Sequence, residues 1–134
     1  MEQNKKLIDK IGKTLQKNAN VIFAYLYGSF TKAEKFRDID IAVYTADESD
    51  TLSIVADLKI SLSRETGIPP DFFDIQTINR IPENGDLFAL LYLKRIFEEN
   101  VLLADKNFYT RAEFIEKYGM KYRECEGLIV EVLK

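Results

Sequence analysis

Two aspartates separated by a single residue are the best candidates for chemistry in this sequence. Asp38 and Asp40 stand at the start of an apolar segment. Three aliphatic residues alternate with them, Ile39, Ile41 and Val43. In a β-strand successive side chains point to opposite faces, so both carboxylates would project from one face. Like charges this close repel each other, and paired hard oxygen ligands suit Mg²⁺, so the pattern predicts a divalent-metal site.

A Gly-Ser pair lies upstream of the two aspartates. Gly28 and Ser29 directly follow the apolar run 21–27, which is typical of a buried strand. Glycine allows close approach of the backbone to a phosphate, and serine can donate from its hydroxyl and its backbone N–H. Such a turn is common without function and gains its meaning from the aspartates that follow.

The segment between the two motifs carries three cations, Lys32, Lys35 and Arg37. They are either solvated loop charges or cations that meet an arriving triphosphate.

Hydrophobic periodicity and turn residues predict alternating helices and strands. The predicted helices cover residues 2–17, 51–66, 86–97 and 109–133, and the predicted strands cover 21–27, 39–44, 71–77 and 101–103. Gly67 is expected to end the second helix, residues 82–85 to form a turn, and Gly119 to break or kink the last helix. The chain is therefore expected to be a single α/β (α+β) domain over residues 1–134, with a mixed sheet of about four strands and helices packed on it.

Composition restricts the chemistry further. The chain has 134 residues, 46% of them apolar, which is enough for a core. It has no histidine and one cysteine, Cys125, which excludes an internal disulfide, a His-ligated zinc site and a Ser-His-Asp triad. A net charge of −3 argues against broad nucleic-acid binding. Neither a membrane span nor a signal peptide is evident, so we expect a cytoplasmic protein.

The two motifs together carry a family resemblance. Gly28-Ser29, then eight residues, then Asp38-Ile39-Asp40 resemble the signature of the nucleotidyltransferase superfamily that includes DNA polymerase β, with a slightly shortened loop. The closest likeness is to its small members, the minimal nucleotidyltransferases. Within these, the stretch from Asp71 through residues 102–105 to the last helix is similar to MntA-type antitoxins, which are paired with HEPN-domain toxins called HepT.

This resemblance implies a nucleotidyltransferase fold and attack of a hydroxyl on the α-phosphate of ATP. Two Mg²⁺ ions about 4 Å apart would be held by Asp38 and Asp40 together with a third acid that opens the neighbouring strand. Asp71 matches that place best, and would bind metal and help to take the hydroxyl proton. Asp74 is the alternative. The two acids cannot both join the site, because residues three apart on a regular strand point to opposite faces.

The resemblance also suggests the acceptor, a tyrosine of a HepT-like HEPN toxin that would be neutralised by AMP. The aromatic and apolar C-terminal segment is either a docking face for that toxin or entirely core: Phe108, Tyr109, Phe114, Ile115, Tyr118, Met120, Tyr122, Leu128, Ile129 and Val130. Two alternatives remain, a small-molecule or RNA nucleotidyltransferase and a non-catalytic toxin-binding module. Nucleotide preference and homo- or hetero-oligomeric state stay open.

Overall fold

Four strands form one mixed sheet in the computed structural model, which describes residues 2–28, 38–84 and 86–133. The strands are β1 (Val21–Tyr27), β2 (Ile39–Thr45), β3 (Phe73–Thr77) and β4 (Val101–Asp105). Their order is β3-β2-β1-β4, with β2 and β3 parallel and β1 antiparallel to both of its neighbours. The predicted four-stranded mixed sheet is confirmed.

Five helices accompany these strands in the described part of the chain. They are α1 (Glu2–Lys17), α2 (Thr51–Thr66), α3 (Ile81–Asn84), α4 (Leu87–Glu99) and α5 (Phe108–Leu133). The bounds of α1 and α2 are those predicted. The segment 82–85, expected to be a turn, overlaps the single helical turn α3, and α5 continues through Gly119 without a break.

Local signals explain both ends of α2. The Asp50 side chain accepts a hydrogen bond from the Ser53 backbone N–H at 3.2 Å, which caps the first turn. At the other end Gly67 takes the left-handed conformation, with φ 77°, and its N–H donates to the Ser63 carbonyl at 2.8 Å. These residues fix the length of α2 independently of the rest of the fold.

The sheet has an apolar cluster on each face. One cluster joins the sheet to α1 and α2 and includes Leu15, Ile41 and Leu58. The other joins it to α4 and α5 and includes Tyr27 and Leu93. Since side chains alternate along β2, the carboxylate of Asp40 lies on the second face, the one that α4 and α5 cover.

The third strand begins later than the sequence suggested. Pro70–Phe72 form a 3-10 turn, in which the Phe72 N–H donates to the Pro69 carbonyl at 3.1 Å. Proline at the start of this turn has the φ that a tight turn needs, so extended structure starts only at Phe73. The prediction that the strand opens at Asp71 is wrong: Asp71 lies in the turn and is exposed.

No helix in the described ranges combines the length and the apolar character required to cross a bilayer.

Candidate active site

Two carboxylates face each other across the parallel strands β2 and β3. The register pairs Asp40 with Asp74, and residues paired in this way project their side chains from the same face of the sheet. Asp40 is half-buried and Asp74 is exposed, where the Gln76 amide donates to Asp74 Oδ1 at 3.0 Å. Asp38 stands directly before β2 and is exposed. The three acids therefore lie at one edge of the sheet.

This crowding changes the acidity of the central carboxyl. Burial raises the pKa of Asp40, and the negative charges of Asp74 and Asp38 raise it further. A hydrogen bond with Asp74 also favours the protonated form, while the Arg95 guanidinium opposes these effects. A bound cation would reverse the balance, because it would stabilise the ionised carboxylates that mutual repulsion disfavours.

The donor set fits a magnesium ion. Among residues 2–28, 38–84 and 86–133, no three acidic or thiol side chains converge closely enough to form a ready-made metal cage. Mg²⁺ does not need such a cage, since it is usually held by one or two carboxylates and takes its other ligands from water and substrate phosphates. The facing pair Asp40 and Asp74, with Asp38 beside it, matches that requirement.

Gly28 brings the chain against this cluster. Its φ of 83° is a backbone conformation that residues other than glycine rarely adopt. A Cβ added there would overlap Oδ2 of Asp40 and lie 3.3 Å from its Cγ. A side chain at this position would therefore displace the Asp40 carboxylate, so Gly28 allows the close approach of the backbone. Ser29, Lys32, Lys35 and Arg37 lie outside the described residues.

A tyrosine pair lines the site beside the carboxylates. Tyr27 lies opposite Asp40 in the antiparallel pair of β1 and β2, and its hydroxyl shares a hydrogen bond with that of Tyr92 on α4. The two rings meet edge to face, 5.6 Å apart. Burial raises the pKa of Tyr27 to about 12, and the charges of Asp40 and Asp74 add to this. The pair is thus a neutral, ordered wall at neutral pH.

Arg95 supplies a positive charge on the same side. It lies three residues after Tyr92 on α4, so the two side chains share one helix face. Its side chain is 59% exposed, and Nε lies 3.6 Å from the Glu99 carboxylate. Its charge opposes the rise in the pKa of both Asp40 and Tyr27. Sequence reasoning missed Arg95 and Tyr92, because their approach depends on how α4 packs on the sheet.

The structure brings together most, but not all, of the predicted site residues. Gly28, Asp38 and Asp40 meet at one edge of the sheet, and Asp74 joins them. Asp71, the preferred third acid, is in the 3-10 turn before β3 and is absent from the charges that shift the pKa of Asp40. Because Asp71 lies in this turn and not in β3, it is outside the strand pairing that places Asp74 opposite Asp40.

The family model described as "Polymerase beta, Nucleotidyltransferase" matches residues 9–113, which is most of the chain. The chain belongs to this family. It is a nucleotidyltransferase, and its four-stranded mixed sheet is the fold of that family. No match was found among curated proteins.

Solved structures share this fold along nearly their whole length. One is a crystal structure of a toxin-antitoxin with AMP-PNP, with a TM-score of 0.60, 21% identity, and coverage of 95% of this chain and 98% of that chain. Another is the toxin-antitoxin MntA-HepT, with a TM-score of 0.57, 19% identity, and coverage of 97% and 99%. At this level of identity the likeness shows a common fold.

Proposed function

We propose that this nucleotidyltransferase is a cytoplasmic, Mg²⁺-dependent antitoxin that transfers AMP from ATP to a tyrosine of a HEPN-type toxin. The catalytic part of the proposal is carried by one observation, the facing carboxylates of Asp40 and Asp74 with the backbone of Gly28 against them. A loop that can approach phosphates, next to carboxylates that need a cation, is the arrangement that nucleotidyl transfer requires.

In this proposal Asp38, Asp40 and Asp74 hold Mg²⁺, and Asp74 takes the place that the sequence had assigned to Asp71. Bound Mg²⁺ supplies positive charge for the phosphates and lowers the pKa of the attacking hydroxyl. Asp74 is more exposed than Asp40 and can accept the proton of the acceptor hydroxyl. Gly28, with Ser29 next to it, positions the triphosphate beside these carboxylates.

The transfer itself exchanges one bond to phosphorus for another. The tyrosine oxygen bonds to the α-phosphorus, the bond from that phosphorus to the bridging oxygen breaks, and pyrophosphate leaves. Arg95 shares a helix face with Tyr92, and its positive charge acts to lower the pKa of Asp40. We therefore assign Arg95 to the leaving phosphates. The Tyr27–Tyr92 pair keeps α4, and therefore Arg95, at a fixed distance from β1.

The solved structures that share this fold support the proposed toxin partner. Two of the structures that match over nearly the whole of both chains are described as toxin-antitoxin structures, and one of these is with AMP-PNP. We therefore propose the same kind of assembly for this chain.

The last helix offers a surface for that partner. Phe114 in α5 is buried against the sheet, whereas Met120, Leu128 and Val130 further along the helix are 51%, 65% and 52% exposed. The C-terminal segment is therefore neither all core nor all surface: Phe114 packs on the sheet, whereas apolar side chains both before it, Phe108 and Tyr109, and after it are exposed. Burying such residues against a helical toxin would stabilise a complex.

The test uses the protein encoded by the neighbouring gene as the candidate acceptor. The two proteins are incubated with Mg²⁺ and ATP, and mass spectrometry of the partner is expected to find added AMP, about 329 Da, on a tyrosine. Label from the α-phosphate of ATP on RNA or on a small molecule, but never on protein, would refute the toxin acceptor and leave nucleotidyl transfer standing. Complex formation without any transfer would identify a non-catalytic binding module.

A further inference from the structure

A basic groove lies between α1 and α2, on the face of the sheet opposite the candidate active site. It has a volume of about 500 Å³, which is within the usual range for small-molecule sites. Four cations line it, Lys10, Lys13, Lys17 and Arg64. The same two helices cover the apolar cluster that contains Leu15 and Leu58, whereas Tyr27 and Tyr92 belong to the other face.

The cations of the groove have no acidic partners in the described part of the chain. None of the ion pairs between described residues involves Lys10, Lys13, Lys17 or Arg64. One acidic residue, Glu65, lines the groove, so four positive side chains stand against one negative. This local excess of positive charge is opposite in sign to the net charge of the chain, which is −3.

The partial negative charges of the helix ends neutralise only part of the positive charge in the groove. Lys17 and Arg64 lie in the last turns of α1 and α2, where a cation offsets the partial negative charge of about half a unit at each helix end. Lys10 and Lys13 lie further back in α1, outside the last turn. Two of the four cations therefore have neither an ion pair nor a helix end to neutralise, which leaves the groove positive.

The other lining groups indicate what kind of anion fits. Ser61 adds a hydroxyl group, which can donate to phosphate oxygens as the ammonium groups do, whereas the Thr14 hydroxyl donates to the Lys10 carbonyl at 2.8 Å. No aromatic side chain of the described residues lines the groove, whereas sites for single-stranded nucleic acid usually combine cations with aromatic side chains that stack on bases. Lys10 and Lys17 are seven residues apart, a rise of about 10 Å along the helix, so the row of charge is short.

We propose that this groove is a second binding site of the protein, which takes a small polyphosphate anion through Lys10, Lys13, Lys17 and Arg64. The ligand is recognised through its phosphates alone, because the described residues of the groove offer charge and a hydroxyl group but no aromatic surface for a base. This site is independent of the metal-dependent one, since it requires no carboxylate and lies across the sheet from Asp40.

The test measures binding of inorganic tripolyphosphate by calorimetry in the presence of EDTA, so that metal-dependent binding at the catalytic carboxylates is removed. The double variant Lys13→Gln/Arg64→Gln takes one cation from each helix and is expected to weaken binding about tenfold or more. The matched control Lys5→Gln/Lys59→Gln also takes one cation from each helix, but from outside the groove, and should bind like the wild type. Lys13→Arg/Arg64→Lys keeps both charges and should retain binding.

Equal affinity of the wild type and Lys13→Gln/Arg64→Gln would overturn the proposal, and so would an equal loss in the control variant, which would indicate diffuse attraction to net charge. Failure of the wild type to bind tripolyphosphate would also overturn it. A ten-nucleotide single strand that binds in the groove more tightly than tripolyphosphate would contradict the small-anion assignment. Thermal unfolding of each variant confirms that it is folded.

Discussion

Asp74 lies directly opposite Asp40 in the parallel pair of β2 and β3, and both side chains project from the face that α4 covers. Asp71, three residues earlier, occupies an exposed 3-10 turn. This relationship, which depends on where β3 begins, is the reason that we propose Asp74 as the third carboxylate of the site.

Magnesium affinity separates the two candidate acids. Asp74→Asn removes one of two facing carboxylates and should weaken Mg²⁺ binding in the presence of a non-hydrolysable ATP analogue by about tenfold or more. Asp71→Asn is the matched control and should leave the affinity unchanged. Titration calorimetry measures both. The reverse ranking would mean that Asp71, rather than Asp74, completes the site.

Two glycines with positive φ give a second contrast. Gly28→Ala should reduce transfer strongly, because its Cβ would overlap the Asp40 carboxylate, and should also destabilise the fold through backbone strain. Gly67→Ala carries the same kind of strain at φ 77°, but meets no atom within 4 Å. It should therefore lower the melting temperature while leaving transfer intact. Equal activity of the two variants would contradict the close approach of Gly28 to the site.

The thermal stability of the metal-free protein should reflect the crowding of carboxylates around Asp40. Its pKa is raised in the folded state, so the protonated form contributes stability at low pH, and this contribution is lost as the pH rises through the folded-state pKa. In EDTA at a pH of about 7.5, Asp40→Asn should raise the melting temperature by a few degrees, a gain that shrinks towards a pH of about 4. Asp71→Asn should show no such gain. A lower melting temperature for Asp40→Asn at neutral pH would contradict this electrostatic account.

Arg95 should act on the nucleotide and not on the fold. Arg95→Ala removes the cation assigned to the leaving phosphates and should lower kcat/KM for ATP by about tenfold to a hundredfold. Lys94→Ala is a suitable control, because the neighbouring Lys94 pairs with Glu98. Both variants should melt close to the wild type. Arg95→Ala with unchanged kinetics would remove Arg95 from the proposed site.

The parts of this molecule that local signals determine could be predicted from the sequence. Asp50 and Gly67 define α2, and the apolar run 21–27 defines β1, so their bounds follow from capping and periodicity. The start of β3 could not be predicted in the same way, because the prolines indicate an extended entry, whereas Pro70–Phe72 form a 3-10 turn that places Asp71 before the strand.

Long-range packing explains what else was missed. Tyr92 and Arg95 are distant in sequence from Asp40 and reach it only through the packing of α4 on the sheet. A helical pattern in residues 86–97 indicates which side chains share a face, but not which face meets the carboxylates.

The most direct test of the central claim is transfer of label from α-phosphate-labelled ATP to the partner protein by a set of single variants. The account predicts Mg²⁺-dependent labelling by the wild type and by Asp71→Asn, and a loss of about two orders of magnitude or more in Asp40→Asn and in Asp74→Asn. Wild-type rates of labelling in Asp40→Asn or Asp74→Asn would contradict a reaction centre built on these two facing carboxylates.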